Sequence, residues 1–223
     1  HRHYGAELFL DEVLEVCADD PTLAEACAVL AYWDRRQTVE SRGAHIFNEF
    51  FAETNQLSAH YAVPFNNADP VHTPRGLTID EAATRDAILA ALHVAVDRIT
   101  DAGIALDARW GDVQFEIRNG EKIGIPGGDG RAGMFSVISA RFDGDNGGYT
   151  PIVTGNSYIQ SVTWNEDGSP SARAILTYSQ SPEPDSPYYA DQTKIYSQSQ
   201  WIDMPFTEEQ IAAKLVREET LEM

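Results

Sequence analysis

The chain has 223 residues, enough for one large domain or two small ones, and a 43% hydrophobic content that suffices for a buried core. Its 35 acidic against 16 basic residues leave a formal charge of -19, a field that repels phosphate backbones and anionic membranes and argues against nucleic-acid binding. No stretch reaches the roughly 18 apolar residues of a membrane span, and His1-Arg2-His3-Tyr4 lacks the apolar run of a signal peptide.

In chain order, Leu8, Val13, Leu14 and Cys17, then Leu23, Cys27, Leu30 and Ala31, recur at three- and four-residue spacing. Asp20-Pro21 between them fits a cap and first-turn proline, so the pattern predicts a helical hairpin. Such a hairpin would bring Cys17 and Cys27 within bonding reach. They form either a disulfide, which implies an oxidising compartment, or two buried thiols.

A third helix is predicted from Ser41 through Ile46, Phe47, Phe50 and Phe51, followed by an extended surface connection over Pro64 to Pro74. Thr78-Ile79-Asp80-Glu81 has the form of a capping box leading into a helix over Ala82 to Ala102, with Ile88, Leu92, Ala95, Val96 and Ile99 on one stripe. After Trp110 the period changes to two in Val113 to Arg118, Asn119-Gly120 signals a hairpin, and Ile123-Gly124-Ile125 continues the alternation. Further strands are predicted over Met134 to Phe142, Tyr158 to Trp164 and Ala172 to Tyr178, with Asn165 to Gly168 as a turn. Pro182 to Pro187 reads as a loop, and Thr207-Glu208-Glu209-Gln210 as a capping box opening a terminal helix. The fold class is therefore α+β: a mainly helical segment 1–109, a β-rich segment 110–206 and a C-terminal helix 207–223.

Motifs with possible chemistry are few. Gly128-Asp129-Gly130-Arg131-Ala132-Gly133 matches the dinucleotide spacing, but a strand pattern follows where the pyrophosphate-binding helix belongs, so the glycines read as a tight loop. Asp143 to Gly148 begins like a calcium loop, yet Gly147 and Thr154 occupy positions that need oxygen ligands, leaving a solvated acidic turn. His1, His3, His45, His60, His72 and His93 form no two-ligand helical pair, and no G-x-S-x-G elbow occurs. No cofactor or metal is expected. The two Tyr-Ser-Gln-Ser strings, at Tyr178 and Tyr196, have no similarity around them and read as coincidence.

Several segments together resemble the C-terminal region of penicillin acylases, most closely the branch of acyl-homoserine-lactone and aculeacin-type acylases. They include Arg2 to Leu8 with Leu10-Asp11, Glu25 to Ala31 with Trp33-Asp34, and Ser41 to Phe47 with Glu49-Phe50. Farther on come Trp110-Gly111-Asp112, Ile125 to Gly128, Gly155 to Tyr158, Ala174 to Tyr178, and Tyr189 to Gln192 with Tyr196. Their order and spacing carry the resemblance over nearly the whole chain.

The resemblance implies an αββα sandwich, in a precursor that cuts itself into a small and a large subunit. The new N-terminal Ser of the large subunit then attacks the amide, with its own amine as base. His1 has neither hydroxyl nor thiol, and the family's oxyanion Asn precedes the helices with which this chain opens, so no catalytic residue is assigned here. The expected role is scaffold, with the small subunit and the upstream part of the large subunit as partners. The substrate implied is an N-acyl amide with a fatty or aromatic acyl group, such as an acyl-homoserine lactone, a lipopeptide or a penicillin, and the location implied is the periplasm or the medium. Unpaired strand edges and an exposed apolar face are expected of such a segment. The rival readings are a non-enzymatic acidic β-rich binding or assembly module, and an amidase of this fold that has lost activity.

Overall fold

The computed structural model describes residues 1–220, which mix helices with short strands in an α+β arrangement. The chain divides into two compact units, His1–Asn156 and Ser157–Met223. Among the described residues no helix is long and apolar enough to cross a membrane.

In the first unit, α1 (Tyr4–Cys17) begins where the His3 ring accepts the Ala6 N–H, a histidine doing what Ser or Asp more often does at an N-cap. Its apolar positions bury Phe9, Leu10, Val13, Val16 and Cys17. Asp20 caps the short turn Pro21–Leu23 through the Thr22 N–H, and α2 (Ala24–Tyr32) follows. Cys17 and Cys27 are disulfide-bonded, with Cα atoms 6.0 Å apart.

The next helix, α3 (Ala44–Glu53), buries Ile46, Phe47, Phe50 and Phe51, and α4 (Ala82–Asp101) buries Ile88, Ala91, Leu92, Ala95 and Ile99 against it. Each of the Ile, Leu and Phe side chains among them contributes about 1.5–3 kcal/mol when fully withdrawn from water. These residues belong to one hydrophobic core with α1 and α2. Between α3 and α4, β1 (Tyr61–Val63) pairs antiparallel with β2 (Arg75–Leu77) and closes the base of the Pro64 to Pro74 connection. The Thr78 capping box does not form. Glu81 is the residue that flanks α4, and the Thr78 hydroxyl instead meets the Thr84 hydroxyl at 2.8 Å, because Thr78 to Glu81 closes its own backbone turn.

A four-residue helix, α5 (Trp110–Val113), takes Val113 out of the expected alternating run, so β3 starts later, at Phe115–Arg118. It pairs with β4 (Glu121–Gly124) through Asn119 and Gly120, both at positive φ (52° and 78°), as a tight hairpin turn demands. The expected strand over Met134 to Phe142 shortens to β5 (Ile138–Ser139), paired with β6 (Thr154–Gly155). Its backbone is divided between neighbours: Ile138 N–H donates to Gly128 on one side, while Val137 carbonyl accepts from Asn156 on the other. No single ladder can then run its length.

The second unit is a three-stranded antiparallel sheet in the order β7 (Tyr158–Trp164), β8 (Pro170–Leu176), β9 (Ile202–Met204). Asn165 to Gly168 makes the β7–β8 turn, with Gly168 at φ 79°. Between β8 and β9 lies α6 (Asp191–Ser197), a helix inside the segment read as β-rich. It is fastened by polar groups: the Gln192 side chain accepts the Leu176 N–H, and the Thr193 hydroxyl donates to the Thr177 carbonyl. The Thr207–Gln210 capping box forms and opens α7 (Glu208–Lys214). This helix is shorter than the one expected over 207–223, whose residues 221–223 lie outside the described residues.

Candidate functional site

The most connected polar cluster lies in the first unit, around the backbone of Gly127 and Gly128. Trp110 Nε1–H donates to the Gly127 carbonyl at 3.0 Å, and Gln114 Nε2 donates to the carbonyls of Ile125 (2.8 Å) and Gly127 (2.9 Å). The Gln37 carbonyl accepts the Gly127 N–H at 2.7 Å, and the Gln37 side chain donates to Asn48 Oδ1 at 3.3 Å. Asn48 in turn donates to the Tyr149 hydroxyl at 3.1 Å, and that hydroxyl donates to Glu49 Oε1. Arg98 Nη1 completes the row at 2.7 Å from Glu49 Oε2, with its other arm on Glu53 at 3.1 Å.

The helices supply this geometry. Glu49 projects from α3 among Ile46, Phe47 and Phe50, and Arg98 from the facing side of α4. A carboxylate buried among phenylalanines is stable only when its oxygens are bonded, and here a hydroxyl and a guanidinium take one each. Burial, and then the Glu49 charge, hold the Tyr149 phenol well above its usual range, so it stays protonated and donates. Glu49 likewise raises Arg98, which keeps its charge. The arrangement suits holding a backbone still. Its one hydroxyl–carboxylate pair, Tyr149 and Glu49, is buried, and burial keeps the phenol protonated, so the row offers no activated nucleophile.

Two buried histidines flank the cluster. His3, ringed by Trp33, Phe47 and Phe51 at centroid distances of 5.8, 5.0 and 5.3 Å, uses Nδ1 to accept from Ala6, so its proton sits on Nε2. His45 donates Nε2–H to the Ala105 carbonyl at 3.0 Å, and its Nδ1 has no partner among the described residues. Burial pushes both down to about 4. A second proton on His3 would cancel its cap, and one on His45 would bury an N–H with no acceptor.

Between pH 6.5 and 4 the unfolded chain binds protons at these two sites that the folded chain refuses, so stability is present above about 6.5 and is lost as pH falls toward 4. Protection factors of the amides in residues 4–17, measured by hydrogen exchange on the full-length protein, should fall by on the order of a hundredfold across that window. Constant protection would contradict the assignment of His3 as a neutral cap.

The sequence-derived motifs are not brought together. In the glycine-rich run, Asp129 caps the short turn Gly130–Ala132 and pairs with Arg131, while Gly128 bridges Val137 as backbone. In the acidic turn, Asp143 accepts from the Asp145 N–H (3.1 Å) and from the Asn146 side chain (2.8 Å), so the turn consumes its carboxylate. Among the described residues no group of three or more His, Cys, Asp or Glu is placed to hold a metal. The Gln37–Asn48–Tyr149–Glu49–Arg98 row was missed. One local signal existed: Glu49 interrupts the apolar face of α3.

The penicillin amidase family profile matches residues 1–213. The chain belongs to the penicillin amidase family. It is similar to the acyl-homoserine lactone acylase PvdQ of Pseudomonas syringae pv. syringae, 36% identical over 216 residues that make up 94% of this chain and 27% of that protein. Aculeacin-A acylase of Actinoplanes utahensis is 36% identical over 224 residues, 96% of this chain and 27% of the relative. A PvdQ of Pseudomonas putida is 34% identical over 212 residues, 94% and 27% of the two chains. This penicillin amidase chain thus spans about a quarter of the length of the relatives it matches. Within it, the row holds the backbone at Gly127 through both its N–H and its carbonyl.

Proposed function

We propose that this chain is the C-terminal scaffold portion of the large subunit of an acylase. In that reading the acylase hydrolyses N-acyl amides through an acyl-enzyme on an N-terminal Ser outside residues 1–223, and the chain alone is inactive. The observation that carries the proposal is the match itself, 94% of this chain against 27% of an acyl-homoserine lactone acylase. The row's one hydroxyl–carboxylate pair, Tyr149 and Glu49, is buried with its phenol held protonated, which fits a supporting part. Scaffolds of this kind matter because an error of about 1 Å in placing reacting groups costs on the order of a hundredfold in rate.

The remaining subunit segments are the proposed partners, within an αββα sandwich to which this chain adds helices and strands. Exposed Phe135 and Val153, 83% and 71% accessible, and the outer strands β7 and β9 of the second unit are surfaces suited to such association. Acyl-homoserine lactones, acylated peptides and penicillin-like amides form the substrate class, and the periplasm or medium the location. The test is release of free acid from a panel of N-acyl-homoserine lactones, lipopeptides and phenylacetyl amides by the full-length protein. Acid release on at least one class is expected, and no turnover across the panel would favour the non-enzymatic binding module.

A further inference from the structure

A cavity of about 270 Å³ opens beside the buried row. Trp110, Ile138 and Phe142 give it apolar walls. Its charged lining comprises the guanidinium groups of Arg98, Arg131 and Arg141 and the carboxylates of Glu49 and Asp129, a local excess of cation in a chain of net charge -19.

The pairing within the cavity decides its chemistry. Glu49 already accepts from Tyr149 on one oxygen and from Arg98 on the other. Asp129 accepts from Arg131 at 3.1 Å and 2.7 Å, through both oxygens. Arg141 is exposed and has no carboxylate partner among the described residues. Donors are therefore in surplus and the resident acceptors are engaged, which is the condition for holding an anion. The apolar walls ask for more than an inorganic ion, and the volume, just under the usual 300–1,000 Å³ of ligand pockets, limits the guest to roughly ten heavy atoms.

We propose that this cavity binds a small monocarboxylate with an aromatic or compact aliphatic body, its carboxylate on Arg141 and its body against Trp110, Ile138 and Phe142. Nothing in this depends on the acylase reading. An exposed, unpartnered side chain can be changed without disturbing the core, so Arg141→Gln is a clean probe.

The experiment is titration calorimetry of 4-methylbenzoate into the full-length protein and its R141Q variant, with neutral 4-methylbenzamide and inorganic phosphate as matched controls. The expected result is a binding component that weakens about tenfold or more in R141Q, is at least about tenfold weaker for the amide, and is not displaced by equimolar phosphate. Binding that is indifferent to R141Q belongs to some other site. The proposal is overturned if no R141Q-sensitive component appears up to about 10 mM, if the amide binds as well as the acid, or if phosphate competes equally. Acid release from N-acyl amides should be unchanged in R141Q, so loss of the acylase reading and loss of this site are separately visible.

Discussion

Replacing Gly148 with alanine should destabilise the protein by about 3–5 kcal/mol, combining backbone strain with overpacking against a neighbour that cannot move aside. Gly148 has φ +136°, and a Cβ there would lie 2.2 Å from the Val113 carbonyl oxygen and 2.9 Å from its carbon. That carbonyl is fixed because it accepts the Tyr149 N–H at 2.6 Å. Relief of the clash would move Tyr149, whose hydroxyl joins Asn48 to Glu49. The neighbouring Gly147 supplies the control. It also has positive φ, 78°, but nothing lies within 4 Å of a Cβ built on it, so Gly147→Ala should cost only about 1 kcal/mol. Thermal midpoints of the full-length protein should separate the two alanine variants clearly. Equal shifts would mean that the Val113–Gly148 contact does not constrain the site.

Phe47→Ala should cost a similar amount, about 3–5 kcal/mol, for a different reason. Phe47 is fully buried and touches His3, Trp33, Phe50 and Phe51, at centroid separations of 5.0, 5.5, 5.4 and 5.9 Å. Removing it opens a hole where α3 meets the start of α1, and the rings around it, His3 before α1, Trp33 after α2 and Phe50 and Phe51 on α3 itself, are anchored in three segments and cannot all collapse inward. Against a typical total of about 5–15 kcal/mol, that is a large share. Phe47→Leu keeps most of the volume and should cost about 1.5 kcal/mol. The alanine variant carries a second signature: water admitted beside His3 eases its protonation, so the stability lost below pH 6.5 should shrink. Urea midpoints of both variants at pH 7 and pH 5 report the two effects together. An alanine variant with unaltered pH dependence would show that the aromatic ring is not what keeps His3 neutral.

The elements legible in the sequence are those whose cause is local. The stripe Ile88, Leu92, Ala95 and Ile99 specifies α4, Asn119-Gly120 specifies a hairpin because both residues accept positive φ, and Thr207 with Gln210 closes its own capping box. Thr78 shows how such a signal fails: its hydroxyl had a second partner in Thr84. The helix α6 escaped because Gln192 and Thr193 are buried and fasten it to β8 by side-chain bonds to backbone, which a search for apolar periodicity cannot register. The run Met134 to Phe142 has strand composition but serves two neighbours. The Tyr149–Glu49 bond joins residues 100 positions apart, and only the interruption of α3 by a carboxylate hinted that a partner must exist.

The fold gives these residues a common role. Helix packing brings Glu49 and Arg98 together, that pair orients Tyr149 and Asn48, and the row ends on the backbone of Gly127, whose N–H goes to the Gln37 carbonyl and whose carbonyl is held by Trp110 and Gln114. A backbone held from both sides suits the proposed scaffold role.

The proposed scaffold role puts the acylase nucleophile outside these 223 residues. Full-length protein treated with a slow-turnover N-acyl substrate and quenched in acid can be digested and its covalent acyl adduct located by peptide mass spectrometry. One acylated serine is expected, at the N-terminus of a processed large subunit and in no peptide from residues 1–223. An acyl group on any residue of this chain would contradict it.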